Sequence, residues 1–92
     1  MAATNQNIVG PRVRKLRTAA NLSQETLSAR CQAVGWDISR GTFAKIESGL
    51  RRVNDAELVI LAKVLRCEVA GLLEGATVRK AVAIARHGDA GS

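Results

Sequence analysis

Apolar residues recur at helical spacing in six stretches of the chain, separated by short polar or glycine-containing breaks. Val9, Val13, Leu16 and Ala20 follow at steps of four, three and four, which makes one stripe on a first helix. Pro11 predicts its opening, because a residue without an N–H loses nothing at the first helical position. Asn21 is expected to close this helix in a left-handed conformation, with Leu22 tucked back against it. Ser23 stands where an N-cap belongs and opens a second helix, whose buried stripe is Leu27, Cys31 and Val34 or Ala33, and which Gly35 ends. Ser39 caps a third helix that runs to a left-handed stop at Gly49. On it Phe43 and Ile46 face inward, while Arg40, Gly41, Thr42, Ala44 and Lys45 fall on the other side. Asn54-x-x-Glu57 is a capping box that starts a fourth helix through Leu58, Leu61, Ala62 and Leu65. A short helix near Val69 to Glu74 is expected to bury Leu72 or Leu73 and to end at Gly75. A last stripe, Val78, Ala81, Val82 and Ala85, lies opposite Arg79, Lys80 and Arg86.

The residue types agree with this pattern. One Pro, one Phe, one Trp and no Tyr, with many Ala and Leu, favour helices over strands. The expected fold is therefore all-α, five helices around a core with an additional short C-terminal helix. The 92 residues suffice for one domain, and 47% hydrophobic with 24% charged residues is a globular composition. The organisation read from the chain is a flexible N-terminal arm over residues 1–8, a folded domain over 9–75, a C-terminal helix over 76–87 and a disordered tail over 88–92. Five helices already close a core, so the stripe Val78 to Ala85 needs a further surface, either its own domain or a partner subunit.

The net charge of +6 is unevenly spread. Up to Val53 nine basic residues face three acidic ones, whereas from Asn54 onward five bases balance five acids, so all the excess lies in the half that contains the third helix. Such a half suits a polyanion, or else serves as a solvated basic face that favours solubility. No stretch is apolar enough to cross a bilayer, and Met1 to Asn7 lacks the regions of a signal peptide, so a cytoplasmic protein is expected. Cys31 and Cys67 read as buried thiols. One His, no CxxC and no paired ligands give no material for a metal site, and no cofactor is implied. There is no paired-carboxylate site, no Ser/His/Asp set and no phosphate-cradling glycine loop, so enzymatic activity is not expected.

A short helix that is buried on one side, with small and cationic residues at its exposed N-terminal end, can enter the major groove of DNA. The third helix fits that description. Trp36 reads as a rim residue covering the turn before it, with base stacking as the alternative.

Three segments then resemble one family closely: Leu22-Ser23-Gln24-Glu25-Thr26-Leu27, Ile38-Ser39-Arg40-Gly41-Thr42-Phe43-Ala44-Lys45-Ile46-Glu47-Ser48-Gly49, and Leu50-Arg51-Arg52-Val53-Asn54-Asp55-Ala56-Glu57-Leu58. In this order and spacing they are similar to the phage repressor and Cro type of helix-turn-helix, the XRE family, over Val9 to Leu73. The resemblance implies a repressor-like fold and a dimeric regulator of transcription, a repressor or controller that reads a palindromic operator in double-stranded DNA. It also implies individual roles. Arg40, Gly41 and Lys45 match positions that face base edges, with Thr42 beside them. Gln24 matches a phosphate-anchoring glutamine, and Ser39 a cap that also touches phosphate. Arg17 and Glu47 match an ion pair that joins the first and third helices. Arg40 has a phosphate contact as its alternative, and Lys45 a solvated position. Arg51 and Arg52 are expected to grip phosphate, Arg52 alternatively to pair with an acid of its own domain. The chain departs from the family's shortest members by a turn about five residues longer between Cys31 and Ser39. It departs again at Gly41, where other members present a polar side chain. Val78, Ala81, Val82 and Ala85 are the expected dimer interface. A second functional class, an antitoxin-type protein that binds a protein partner and autoregulates its operon, would use the segment Gly75 to Ser92.

Overall fold

The computed structural model describes residues 5–90, and every regular element among them is a helix: α1 (Gly10–Ala19), α2 (Gln24–Ala33), α3 (Arg40–Glu47), α4 (Asp55–Leu65), α5 (Val69–Leu72) and α6 (Val78–Ala90). The starts are set by side chains that satisfy first-turn N–H groups. Ser23 Oγ accepts from the Thr26 N–H at 3.0 Å, and Ser39 Oγ accepts from the Thr42 N–H at 3.1 Å, so α2 and α3 open with the same Ser-x-x-Thr arrangement. The capping box of α4 is complete: Asn54 Oδ1 accepts from the Glu57 N–H at 2.8 Å, and the Asn54 N–H donates to Glu57 Oε1 at 3.1 Å. Two stops use left-handed non-glycine residues, Asn21 after α1 (φ 60°) and Arg66 after α4 (φ 58°), and Gly49 turns the chain after α3 (φ 81°).

The core consists of Val9, Val13, Leu27, Cys31, Ile38, Phe43, Ile46, Leu61, Ala62, Val64 and Leu72. Phe43 is the largest fully buried side chain. α4 packs against α1, α2 and α5, and α3 packs against α1 and α2. α3 is thus backed on its inner side by two helices.

Several sequence expectations meet a different arrangement. On α2 neither Val34 nor Ala33 continues the buried stripe, and Val34 is 53% exposed. The helix ends at Ala33 and the chain doubles back, with the Trp36 N–H donating to the Cys31 carbonyl at 2.9 Å, so the next apolar anchor is Ile38. Ala20 is exposed beyond the end of α1. On α4, Val64 is buried while Leu58 and Leu65 are only half-buried, because this helix is enclosed by neighbours on more than one side. Of the two candidates near α5, Leu72 is buried and Leu73 is 40% exposed. Cys31 is buried, and burial pushes its thiol up to about 11, but Cys67 is half-buried.

The two ends of the chain also differ from expectation. Asn5 to Ile8, placed in a flexible arm, lie against the end of α3: the Gln6 N–H donates to the Gly49 carbonyl at 2.8 Å, and Asn7 is buried and hydrogen-bonded. The rest of that arm, residues 1–4, lies outside the described residues. α6 continues to Ala90, through part of the segment expected as a disordered tail, whose residues 91 and 92 lie outside the described residues. α6 stands over a crevice of about 250 Å³ lined by Ile8, Val53, Leu58, Leu73, Ala81 and Ile84. Ile84, absent from the expected stripe, is half-buried, whereas Val78 and Val82 are 80% and 46% exposed.

Phe43 fills the space between α3 and the helices behind it. Phe43→Ala is expected to lower the free energy of unfolding by about 3–5 kcal/mol, read from urea denaturation followed by helical circular dichroism.

Candidate nucleic-acid interface

The outer face of α3 begins at a capped N-terminus and carries Arg40, Gly41 and Lys45, all exposed, with Thr42 and Ala44 half-buried at its edge. Among the described residues neither Arg40 nor Lys45 takes part in an ion pair. Gly41 is not required by packing, since a Cβ there would meet only Ser39 Oγ, at 3.9 Å. The Ser39 hydroxyl is engaged at both ends, accepting from the Thr42 N–H and donating to Thr42 Oγ1 at 3.0 Å. With the Thr42 N–H taken by Ser39, what this end of α3 offers an anion is the N–H groups of Arg40 and Gly41.

Behind this face lies the carboxylate of Glu47, whose side chain is 4% exposed. Arg17 of α1 donates to it twice, Nε to Oε2 at 2.6 Å and a terminal guanidinium nitrogen to Oε1 at 3.1 Å, and also donates to the Leu22 carbonyl at 2.8 Å. The hydrogen bond to Glu47 raises the guanidinium's pKa above its ordinary value. The expected ion pair is present as a bidentate contact. Gln24 joins it. The sequence suggested a side chain pointing outward, but its Nε2 donates to Glu47 Oε1 at 3.0 Å. A carboxamide has two N–H groups. One holds Gln24 against Glu47, leaving the second for an acceptor beyond the protein surface at the positive end of α2.

The loop after α3 sorts its two arginines unequally. Arg51, expected on phosphate, forms a bidentate pair with Glu57 at 3.0 and 2.9 Å, and its guanidinium lies over the Trp36 ring, 5.9 Å from the centroid. Arg52, for which an internal partner was the alternative, is exposed and takes part in no ion pair among the described residues. The reason is Glu57. It is fixed by the α4 capping box, where the same Oε1 accepts from the Asn54 N–H, and so presents a rigid acceptor to the nearer arginine. Trp36 covers the turn, as its sequence context suggested, and is held by a cation that the sequence had directed outward.

One further participant was not visible as a site residue. Asn7 Nδ2 donates to the carbonyls of Ile46 at 3.0 Å and Arg51 at 2.8 Å, and its Oδ1 accepts from the Gly10 N–H at 2.7 Å. The only sequence signal was a polar residue next to an apolar pair, which reads equally well as a loop. No cluster of three or more His, Cys, Asp or Glu positioned for a metal ion occurs among the described residues, and no helix is long and apolar enough to cross a membrane.

Two tests of this scaffold follow from its charges. Arg17→Met leaves the buried Glu47 carboxylate with a single neutral donor and is expected to cost about 3–5 kcal/mol, most of it recovered in the double variant with Glu47→Leu, as measured by urea denaturation. The Arg51 hydrogen bonds hold the Glu57 carboxyl below its ordinary 4.5. Its stabilisation is therefore complete above that value and is lost as the pH falls through the lower, folded value. Glu57→Gln should remove this part of the acid dependence, read as urea midpoints that change less between neutral and acidic pH than in the parent protein.

The chain has also been compared with known proteins. A family profile described as helix-turn-helix matches residues 13–72. The crystal structure of the restriction-modification controller protein C.AhdI from Aeromonas hydrophila is similar to this chain, with 36% sequence identity, a TM-score of 0.61, and coverage of 70% of this chain and 89% of that one. Among curated proteins none matches significantly. With its α2–α3 unit, its capped and outward-facing third helix and these matches, the chain belongs to the helix-turn-helix family of phage repressor and Cro type, whose members regulate transcription by binding DNA.

Proposed function

We propose that this protein is a dimeric, sequence-specific regulator that reads the major groove of double-stranded DNA with α3. The observation that carries this reading is the outer face of α3: two exposed cations, in no ion pair among the described residues, share it with a glycine that no packing requires, on a helix whose last turn is fixed by a buried carboxylate. Arg40 and Lys45 are assigned to base edges, where guanine O6 and N7 accept from such groups. Gly41 and Thr42 allow close approach beside them. Gln24 and Arg52 grip phosphate on either side of the reading helix, together with the first-turn N–H groups that Ser39 orients. Arg51 supports Arg52 from within. The likeness to a restriction-modification controller favours a controller or repressor over other regulators.

One reading helix spans only a few base pairs, so specific affinity requires two copies on a palindrome with half-sites about one helical turn, roughly 34 Å, apart. Val78 and Val82, exposed on α6, are the surface proposed for that pairing, with Ala81 and Ala85, which border the crevice, at its edge.

Selection of bound fragments from random duplex DNA, followed by salt titration on the selected site, tests this reading. Arg40→Ala and Lys45→Ala should each lower discrimination between the selected site and unrelated DNA by about 1–3 kcal/mol while leaving the melting transition in place. An equal loss on every sequence would reassign them to phosphate. Gln24→Ala and Arg52→Ala should weaken binding on all sequences alike, and Arg52→Ala should reduce the salt slope by about 0.9. Gly41→Ala is expected to stabilise the fold by about 0.5–1 kcal/mol through helix propensity, yet to reduce affinity for the selected site. Failure to enrich any sequence would overturn the proposal.

A further inference from the structure

The contacts of Asn7 join three separate parts of the backbone. Its carboxamide uses both hydrogen atoms and its oxygen, and all three partners are backbone groups: the Ile46 carbonyl in the last turn of α3, the Arg51 carbonyl in the loop that follows, and the Gly10 N–H at the start of α1. The Gln6 N–H adds a bond to the Gly49 carbonyl between them, at 2.8 Å. Gly10 permits this close approach. A Cβ there would lie inside contact distance of the Ile46 carbonyl and 2.9 Å from that of Glu47. The segment thus spans the junction where α3 ends and the basic loop begins, with Asn7, Val9 and Gly10 buried there.

We propose that Asn5 to Gly10 is a positioning element of the DNA interface, with Asn7 as the residue that fixes the placement of Arg52 relative to Arg40 and Lys45. The turn after α3 is closed by Gly49 in a left-handed conformation, with the Gly49 and Leu50 N–H groups donating to the Ile46 and Lys45 carbonyls at 3.1 and 2.8 Å, but these bonds do not reach the loop beyond Leu50. Asn7 binds one carbonyl on each side of that turn with a single rigid group, so the helix and the loop are held in one relative geometry. The same restraint reaches the other side of the loop. Arg51, whose carbonyl Asn7 holds, pairs with Glu57 and lies over Trp36. A side chain with one carboxamide is thereby connected to the base-reading helix, the phosphate-gripping loop and the turn that precedes α3. Asn7 touches no DNA in this scheme; it acts through the backbone of residues 46–51.

The part of this inference that concerns DNA rests on the function proposed above, and the test separates the two. Asn7→Ala and Asn7→Asp are compared with Leu72→Val, a core change in α5, which packs against α1 and α4. Asn7→Asp preserves the shape and the acceptor toward Gly10 but turns oxygen toward two carbonyls. Each variant is assayed at a temperature where it is fully folded by circular dichroism. The Asn7 variants should lose about tenfold in affinity for the selected site, with a smaller loss on unrelated DNA, so that the ratio falls. They should also shift the emission of Trp36, the chain's one tryptophan, in the absence of DNA. Leu72→Val should leave both the ratio and the emission as in the parent protein. If the Asn7 variants leave both readouts unchanged, or if Leu72→Val moves them equally, the positioning role is overturned. If the parent protein selects no DNA sequence, the proposed function fails, while Trp36 emission still decides whether Asn7 holds the loop. Should Asn7→Ala not fold, Asn7→Ser, which retains one short donor, is read in the same way.

Discussion

A single buried carboxylate determines how the interface is built. Glu47 lies at the last turn of α3 and is removed from water, a costly state for a charge unless several donors meet it. Those donors come from Arg17 on α1 and Gln24 on α2, so the only way to satisfy the carboxylate is to bring three helices into one relative placement. Apolar packing by Phe43 and Ile46 supplies most of the attraction between α3 and the body, but it is not directional. The hydrogen bonds are directional. They fix the orientation of α3 within the inner face that Phe43 and Ile46 define.

The consequence for function is geometric. With Glu47 held from behind, Arg40 and Lys45 project from a helix whose rotation is restrained, and Gln24 is oriented by the same carboxylate that anchors α3. The loop after α3 repeats this logic on a smaller scale: Glu57, fixed by the α4 cap, holds Arg51, and Arg51 covers Trp36. Asn7 closes the remaining gap by binding backbone on both sides of the turn. Each of these groups lies one step behind the exposed cations, in a position to place them without occupying the surface they would use.

α6 stands apart from this organisation. Its inner side offers Ile84 to a crevice over the body, while Val78 and Val82 face outward, so the stripe read from spacing alone divides between two surroundings. Alanine and valine alternate around too much of this helix for periodicity to select one face. Ile84, larger than the alanines beside it, was the better indicator of the inner side.

The chain's own pattern determined the helices and their ends, because capping depends on neighbours a few residues apart: Ser23 with Thr26, Ser39 with Thr42 and Asn54 with Glu57 are local contacts that any folded context preserves. Phe43 and Ile46 as the inner side of α3, with Arg40 and Lys45 opposite, were legible for the same reason, since helical periodicity assigns faces without reference to the rest of the protein. The pairing of Arg17 with Glu47 came only through family resemblance, being a contact across thirty residues. What tertiary structure alone decided was the choice among equivalent polar groups. Arg51 and Arg52 are adjacent and chemically identical, and only the placement of Glu57 directs one inward and leaves the other exposed. Gln24 and Asn7 likewise carry ordinary carboxamides, whose partners, Glu47 and the carbonyls of Ile46 and Arg51, are brought within reach only when distant segments pack. Local hydrogen bonding and periodicity are written in short stretches of sequence, whereas the partner of a long polar side chain depends on where the fold places the nearest unsatisfied atom.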